Sequence, residues 1–301
     1  MTKKILIIGG TGFIGYHLAL RAKKKNWNVT IVSTRKPPEI RKIKKVKYIK
    51  CDISKRSKVN NAFKNNFNYV VNLGGYVDHG NKNKTFRSHY NGCKNLANYF
   101  LKTKIDAFVQ IGSGGEYGKL KSPHKEKNIS NPLSVYSRAK YLATLFLLEL
   151  FHKKNFPVTI LRFYQVYGPK QDQNRFLPIV IKNCLLNKNF PCSHGRQSRD
   201  FVFIEDVVDA IIKSLTLKKA KGEIINIGSQ QPMRIKKLIS KIIKITGGGK
   251  PQYGSIQLRK EENLVTYPDI SKAKKIIKWE PKINFQKGLK LTIKYYEKKL
   301  S

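Results

Sequence analysis

Carboxylates are scarce in this chain: 18 Asp and Glu stand against 61 Lys and Arg in 301 residues, a net charge of +43. Such an imbalance would draw any polyanion towards the surface. Yet Lys far outnumbers Arg, and the Lys are spread along the whole chain rather than gathered in a tail or on one helix. Arg forks, aromatic stacking repeats, zinc spacings and helix-turn-helix signatures are missing, so specific nucleic-acid recognition is not expected. Long apolar runs are missing too. None approaches the roughly 20 residues of a membrane span, and no signal peptide precedes the first strand, so no membrane association is expected. Only four cysteines occur, Cys51, Cys93, Cys184 and Cys192, with neither metal-ligand spacing nor a dense disulfide framework. A cytoplasmic protein with no metal site is the simple expectation. Internal repeats and low-complexity linkers are absent, and Gly247-Gly248-Gly249 reads as a loop.

What is present is enough for a sizeable core, as one composite unit or two closely packed domains. Strand-like and helical segments alternate through the first half, the mark of a doubly wound parallel sheet in an α/β fold. Strands are expected at 3–8, 28–33, 46–50, 68–73, 106–112 and 157–162. Helices are expected at 13–25, 55–65, 85–103 and 132–154, the last with Asn131 as N-cap and Pro132 at its first position. Beyond Gly168-Pro169 the pattern loosens, with strands at 199–203 and 223–227 and helices at 205–216 and 234–245.

The first expected strand, Ile5 to Ile8, has no polar alternation, as befits a strand covered on both faces. It runs straight into Gly9-Gly10-Thr11-Gly12-Phe13-Ile14-Gly15. Gly9 permits a sharp turn, Gly12 lets backbone approach a phosphate, and Gly15 lets the helix pack closely on the strand. That helix, with Phe13 and Ile14 in its first turn, would aim unpaired N–H groups and a positive dipole end at a dinucleotide pyrophosphate. Cofactor choice falls to the end of the second strand, Val29 to Val32, roughly 20 residues on. An acidic residue there would bind a free ribose 2′-hydroxyl. This chain has Ser33, Thr34 and Arg35 instead, which suit a 2′-phosphate, so NADPH is favoured over NADH. Asp52, with Ile53 beside it, is placed to bind the adenine edge or equally to cap a helix.

Two further stretches carry proton chemistry. Tyr136 and Lys140 are four apart on one expected helix and share a face. An ammonium beside a phenol favours the phenolate, which would bring Tyr136 towards the working pH for exchange with a carbonyl or alcohol oxygen. Lys140 could also hydrogen-bond a nicotinamide ribose. Ser113 follows the strand Phe108 to Ile111, at the carboxyl end of the sheet where such folds bind ligands. Its hydroxyl can orient the reacting oxygen.

With the glycine loop, Ser113 through Gly118, Tyr136-Ser137-Arg138-Ala139-Lys140, Leu161 through Pro169, Arg199 through Val207, Asn226-Ile227-Gly228 and Trp279-Glu280-Pro281, the chain resembles an extended short-chain dehydrogenase/reductase. The resemblance is to the nucleotide-sugar epimerase/dehydratase group and covers essentially the whole length. It implies a Rossmann lobe for NAD(P) over residues 1–168, completed by 200–227, and a smaller C-terminal lobe over 169–301 for a nucleotide-diphosphate sugar. It also implies a homodimer built on the helices at 85–103 and 132–154. Three departures matter. Where the 4,6-dehydratases of the group carry an acidic pair after the catalytic hydroxyl, this chain has Gly114 and Gly115, and Glu116 is expected to point elsewhere, so dehydration is disfavoured. Gln165 stands where an Asn usually contacts the substrate phosphate. The ribose-binding acid is missing, which suits a reductase refilled with hydride at each turnover better than an epimerase. The sequence is also similar to the sugar 4-ketoreductases of deoxyhexoses destined for surface polysaccharides, CDP-abequose synthase among them. The likeness lies in Arg175-Phe176-Leu177-Pro178, Arg199 to Val208 and Tyr253 to Arg259. By that analogy Arg199 and Arg259 clamp the substrate diphosphate; the alternatives are an internal Arg–Asp pair for Arg199 and plain exposure for Arg259. A reduction at C4 of a nucleotide-activated 4-keto-6-deoxyhexose is the expected activity, with a 4-epimerase as the alternative. A non-catalytic redox-sensing or RNA-binding member of the fold is a more distant one.

Overall fold

The computed structural model describes residues 2–63, 66–76, 80–258 and 262–300. The strands are β1 (Lys4–Ile8), β2 (Asn28–Ser33), β3 (Lys47–Lys50), β4 (Tyr69–Asn72), β5 (Ala107–Ser113), β6 (Val158–Phe163), β7 (Gln165–Tyr167), β8 (Asn189–Cys192), β9 (Ser198–Phe203), β10 (Ile224–Ile227), β11 (Pro232–Arg234), β12 (Lys250–Tyr253) and β13 (Val265–Thr266). The helices are α1 (Phe13–Lys24), α2 (Arg56–Ala62), α3 (Lys82–Phe86), α4 (Gly92–Phe100), α5 (Val135–Lys154), α6 (Phe176–Leu185), α7 (Ile204–Thr216), α8 (Ile235–Thr246), α9 (Ser271–Ile277) and α10 (Phe285–Leu300).

Seven strands form one parallel sheet in the order β10-β6-β5-β4-β1-β2-β3. The unbroken apolar run of β1 is explained by its central place. Ile5 and Ile7 join a core with residues of α1 and α7, while Leu6 and Ile8 join another with residues of α4 and α5. Strand order runs outward from β1 in both directions, so the chain changes side between β1 and β4. Crossover connections diverge there and open a crevice at the carboxyl ends of the strands. The segments after β6, apart from α7 and β10, build a second region. Here β11, β9 and β13 form a sheet joined by β7, and β12 pairs with β8. Its link to the first region includes the buried Trp279, whose Nε1 donates to Asp206 O at 2.9 Å.

Two expected helices differ from the reading of the sequence. The one expected from Pro132 begins at Val135, because Ser134 and Ser137 form a reciprocal cap: each side-chain oxygen accepts from the other's backbone N–H, at 3.1 and 3.0 Å. Two hydroxyls thus satisfy donors that Asn131 and Pro132 would have left to the loop. The helix expected at 85–103 starts earlier, at Lys82 with Asn81 as cap, and widens into a π-turn over Arg87–Asn91 before α4. Such wide turns add a residue to the helix and often adjoin functional sites.

Candidate active site

Two adjoining clefts occupy the crevice. The first, about 340 Å³, is lined by the end of β1, Ser33, Thr34, Asp52, Ile53, Lys55, Lys84 and Arg87 among others. The second, about 480 Å³, runs from Gly9, Gly12, Phe13, Ile14 and Gly15 to Ser113, Tyr136 and Lys140, and on to Gln165 and Arg175. The glycine loop, the hydroxyl and the phenol–ammonium helix therefore converge on one space.

The fit of a dinucleotide to this space can be tested on the backbone. Gly9 has φ +74°, and a Cβ there would meet Leu73 O at 2.8 Å; a Cβ on Gly15 would lie 2.5 Å from Gly10 Cα. No side chain caps the N-terminus of α1, whose N-cap is Gly12. The loop is bare backbone closing on a helix end that favours an anion, as a pyrophosphate requires. The residues fit the group. At the end of β2, Thr11 Oγ1 donates to Ser33 Oγ at 2.8 Å, and Arg35 N donates to the same oxygen at 3.3 Å. The Arg35 side chain is exposed. Asp52 lines the first cleft, but its Oδ1 accepts from Ser54 N and Oγ at 3.0 and 2.7 Å, which makes it chiefly a turn cap.

Ser113 Oγ accepts from Gly115 N at 3.1 Å, and Ser113 lines the second cleft together with Tyr136. Lys140 is buried and donates from Nζ to Ile111 O at 2.7 Å. Nζ stands 5.9 Å from the centre of the Tyr136 ring. The expected lowering of the phenol by this ammonium is not what the geometry produces. Burial raises Tyr136 above the ordinary tyrosine value, while the Ser113 hydrogen bond pulls it back only in part. Lys140 itself is pushed down to about 8 by burial, against the favourable charge of Glu116. In both groups desolvation outweighs the contributions of their neighbours.

A third cleft, about 350 Å³, continues from Gln165 and Arg175 to Gln197, Arg199 and Glu262. Arg199 Nη2 pairs with Glu262 Oε1 at 2.5 Å and Nη1 donates to Ser198 O at 2.8 Å. The alternative partner, Asp200, is engaged elsewhere, accepting from Ser229 and Gln231. Gln165 is exposed at the mouth shared by the second and third clefts. Arg259 lies outside the described residues. Sequence reading missed Arg175 and His89. Arg175 lines both the second and third clefts, and its only signal was the Arg-Phe-Leu-Pro stretch. His89, in the π-turn, packs edge-on against Tyr136 with ring centres 4.9 Å apart; nothing in its spacing marked it.

A glycine-loop cleft at a Rossmann switch point, opening past a Ser–Tyr–Lys group into a second cleft, defines a two-region dinucleotide-dependent enzyme. Residues 5–228 match the NAD dependent epimerase/dehydratase family, and the chain belongs to that family. It is thus an NAD(P)-dependent enzyme. A UDP-glucuronate 4-epimerase of Thermodesulfobacterium geofontis is 30% identical over 211 residues, covering 69% of this chain and 64% of that protein. The dTDP-D-glucose 4,6-dehydratase of Mus musculus is 26% identical over 319 residues, covering 98% and 89%. Among solved structures, the UDP-glucose 4-epimerase of Thermotoga maritima with UDP-glucose superposes with a TM-score of 0.93 at 26% identity, covering 99% of this chain and 100% of that one.

Proposed function

We propose that the chain reduces a nucleotide-diphosphate 4-keto-6-deoxyhexose at C4, with NADPH preferred to NADH, in deoxysugar synthesis for surface polysaccharide. The observation that carries this reading is the meeting of Ser113, Tyr136 and Lys140 in the cleft that begins at the glycine loop. A phenol kept protonated by burial is a proton donor at neutral pH, the form a reduction needs first. Tyr136 gives its proton to the developing alkoxide, Ser113 holds that oxygen, and Lys140 holds the cofactor ribose. A nicotinamide in this cleft would supply the hydride. Positioning and the polarised oxygen furnish the rate gain. Gly114 and Gly115 offer no acid or base for dehydration.

The NADPH preference is supported by the lack of a carboxylate at the end of β2 and by Lys55, Lys84 and Arg87 in the first cleft. The diphosphate falls to Gln165, Arg175 and Arg199, with Arg199 exchanging Glu262 for phosphate, and to Arg259. A homodimer through α5 is supported by Leu142 and Leu145, exposed on that helix. The four cysteines are buried and free, in keeping with the cytoplasm.

A second reading, a nucleotide-sugar 4-epimerase, is favoured by the close superposition on the Thermotoga enzyme. A panel of keto-sugar nucleotides with NADPH and NADH separates the two. The reductase consumes cofactor in step with product, identified by NMR, whereas an epimerase shows no net consumption. Tyr136→Phe is expected to cut turnover by at least about a hundredfold while leaving cofactor binding intact; retained turnover would refute the assigned role.

A further inference from the structure

We propose that Glu116 is the positioning residue of this site: one buried carboxylate joins the strand end that carries Ser113 to the helix that carries Tyr136 and Lys140, and so sets their spacing. The expectation from sequence was only that Glu116 would point away from the sugar. It does so by turning beneath the site, where it is 0% exposed. Oε1 accepts from Ser113 N at 2.8 Å. Oε2 accepts from Thr144 Oγ1 and from Arg162 Nε, both at 3.0 Å, and Arg162 Nη2 lies 2.8 Å away in the same ion pair. Thr144 follows Lys140 by one turn and Tyr136 by two, so all three lie on one face of α5. A pull on Thr144 is therefore a pull on the catalytic face. Arg162 comes from β6, beside β5, and its guanidinium lies 4.5 Å from the centre of the Tyr117 ring.

Room for this carboxylate is built into β5. A Cβ on Gly112 would sit 2.6 Å from Glu116 Oε1. Three hydrogen bonds and an ion pair engage the two oxygens, and the three donors stand on different elements: the end of β5, α5 and β6. A group so held cannot shift without moving the others, which is how a reacting geometry is kept within tight limits.

The charge matters as well as the ties. Around Tyr136 and Lys140 stand Cys93 on α4, His89 in the π-turn, Arg175 before α6 and Glu116 itself, with Arg162 and Tyr117 behind the carboxylate. Glu116 favours the ammonium of Lys140 against the burial that opposes it. Removing that charge lets Lys140 lose its proton at lower pH.

The inference rests on the reductase reading only for its effect on turnover, so the test has one arm that needs no substrate. Glu116→Gln alone leaves Arg162 buried without its partner, so the informative variant is Glu116→Leu/Arg162→Met, which removes both charges at similar volume. Competitive acetylation of Lys140 across pH 6–10, read by mass spectrometry, should place its midpoint near 8 in the wild type. The folded double variant should lower that midpoint, because the charge that favours the ammonium is that of Glu116. It should also lower kcat by about tenfold or more while moving KM less than about twofold. Thr144→Val, which cuts a single tie and keeps side-chain shape, should lower kcat by about threefold or more without moving the Lys140 midpoint; it serves if the double variant does not fold. An unmoved midpoint in the folded double variant, or unchanged kcat in Thr144→Val, overturns the proposal. If the wild type reduces no keto-sugar nucleotide, the reductase reading fails, and the acetylation midpoint alone decides the role of Glu116.

Discussion

Replacing Lys140 by Met should make the cofactor-free protein more stable at neutral pH while abolishing its function. The side chain is buried, and its pKa falls from 10.5 to about 8. At about 1.4 kcal/mol per pH unit, that drop is a burden of roughly 3 kcal/mol on the folded state wherever the amine is charged. Met is of similar length and carries no charge. It forfeits the hydrogen bond from Nζ to Ile111 O at 2.7 Å, which offsets about 1 kcal/mol of the gain. A net advantage of about 2 kcal/mol is expected for the variant at pH 7. The sign follows from proton counts. Between pH 8 and 10.5 the unfolded chain binds a proton that the folded chain does not, so wild-type stability rises with pH across that window relative to the variant. Below 8 the burden is fully present; above 10.5 it is gone. Thermal unfolding of both proteins at pH 7 and pH 10 reads this directly. Lys140→Met should melt higher at pH 7, and the gap should narrow by pH 10. A variant that melts lower than the wild type at pH 7, or a gap that ignores pH, would refute the electrostatic account of the site.

Other expectations concern the ligands. Ser33→Asp puts a carboxylate at the end of β2 and should weaken NADPH binding by about tenfold or more relative to NADH, by repulsion of a 2′-phosphate; fluorescence titration with each cofactor reads the ratio, and an unchanged ratio would count against the NADPH preference. Arg199→Ala removes a guanidinium from the third cleft and should raise KM for the sugar nucleotide by about tenfold, with kcat changed less; equal KM values would remove Arg199 from the diphosphate site.

The sequence made the first region legible because its signals are local. β1 is an unbroken apolar run, Gly9 and Gly15 have no room for side chains where they stand, and the parallel strands alternate with amphipathic helices. The phenol and the ammonium were found because four residues on a helix always share a face. Apart from the start of α5, what escaped depended on contacts between distant residues. The start of α5 was misplaced because a reciprocal Ser134–Ser137 cap prevailed over the Asn131-Pro132 signal. The helices α6, α9 and α10 and the short strands β7, β8 and β11 to β13 are defined by mutual packing rather than by strong local pattern. The titration of Tyr136 was misjudged for the same reason: charge proximity is visible in a sequence, whereas the depth of burial that dominates it is not.

The scarcity of acids gains meaning once their places are known. Asp200 is fully buried and holds the turn at Ser229–Gln231, with burial raising its pKa against those hydrogen bonds. Asp206, at the start of α7, accepts from Lys282 N and Ile283 N at 3.0 Å each, tying the segment before α10 to the first region. Glu126 accepts from Asn226 N at 2.8 Å, on β10. Glu116 ties β5, α5 and β6. In each case a carboxylate is the acceptor that gathers backbone or side-chain donors from segments distant in sequence, a task a cation cannot perform because it has no lone pair to offer. Exposed positions can exchange acid for base at little cost in stability, since surface pairs contribute little. Buried junctions cannot, because a donor left unpaired there costs its full desolvation. A chain with so few acids therefore shows where its structure requires them, and Glu116 does so beside Ser113 and Lys140.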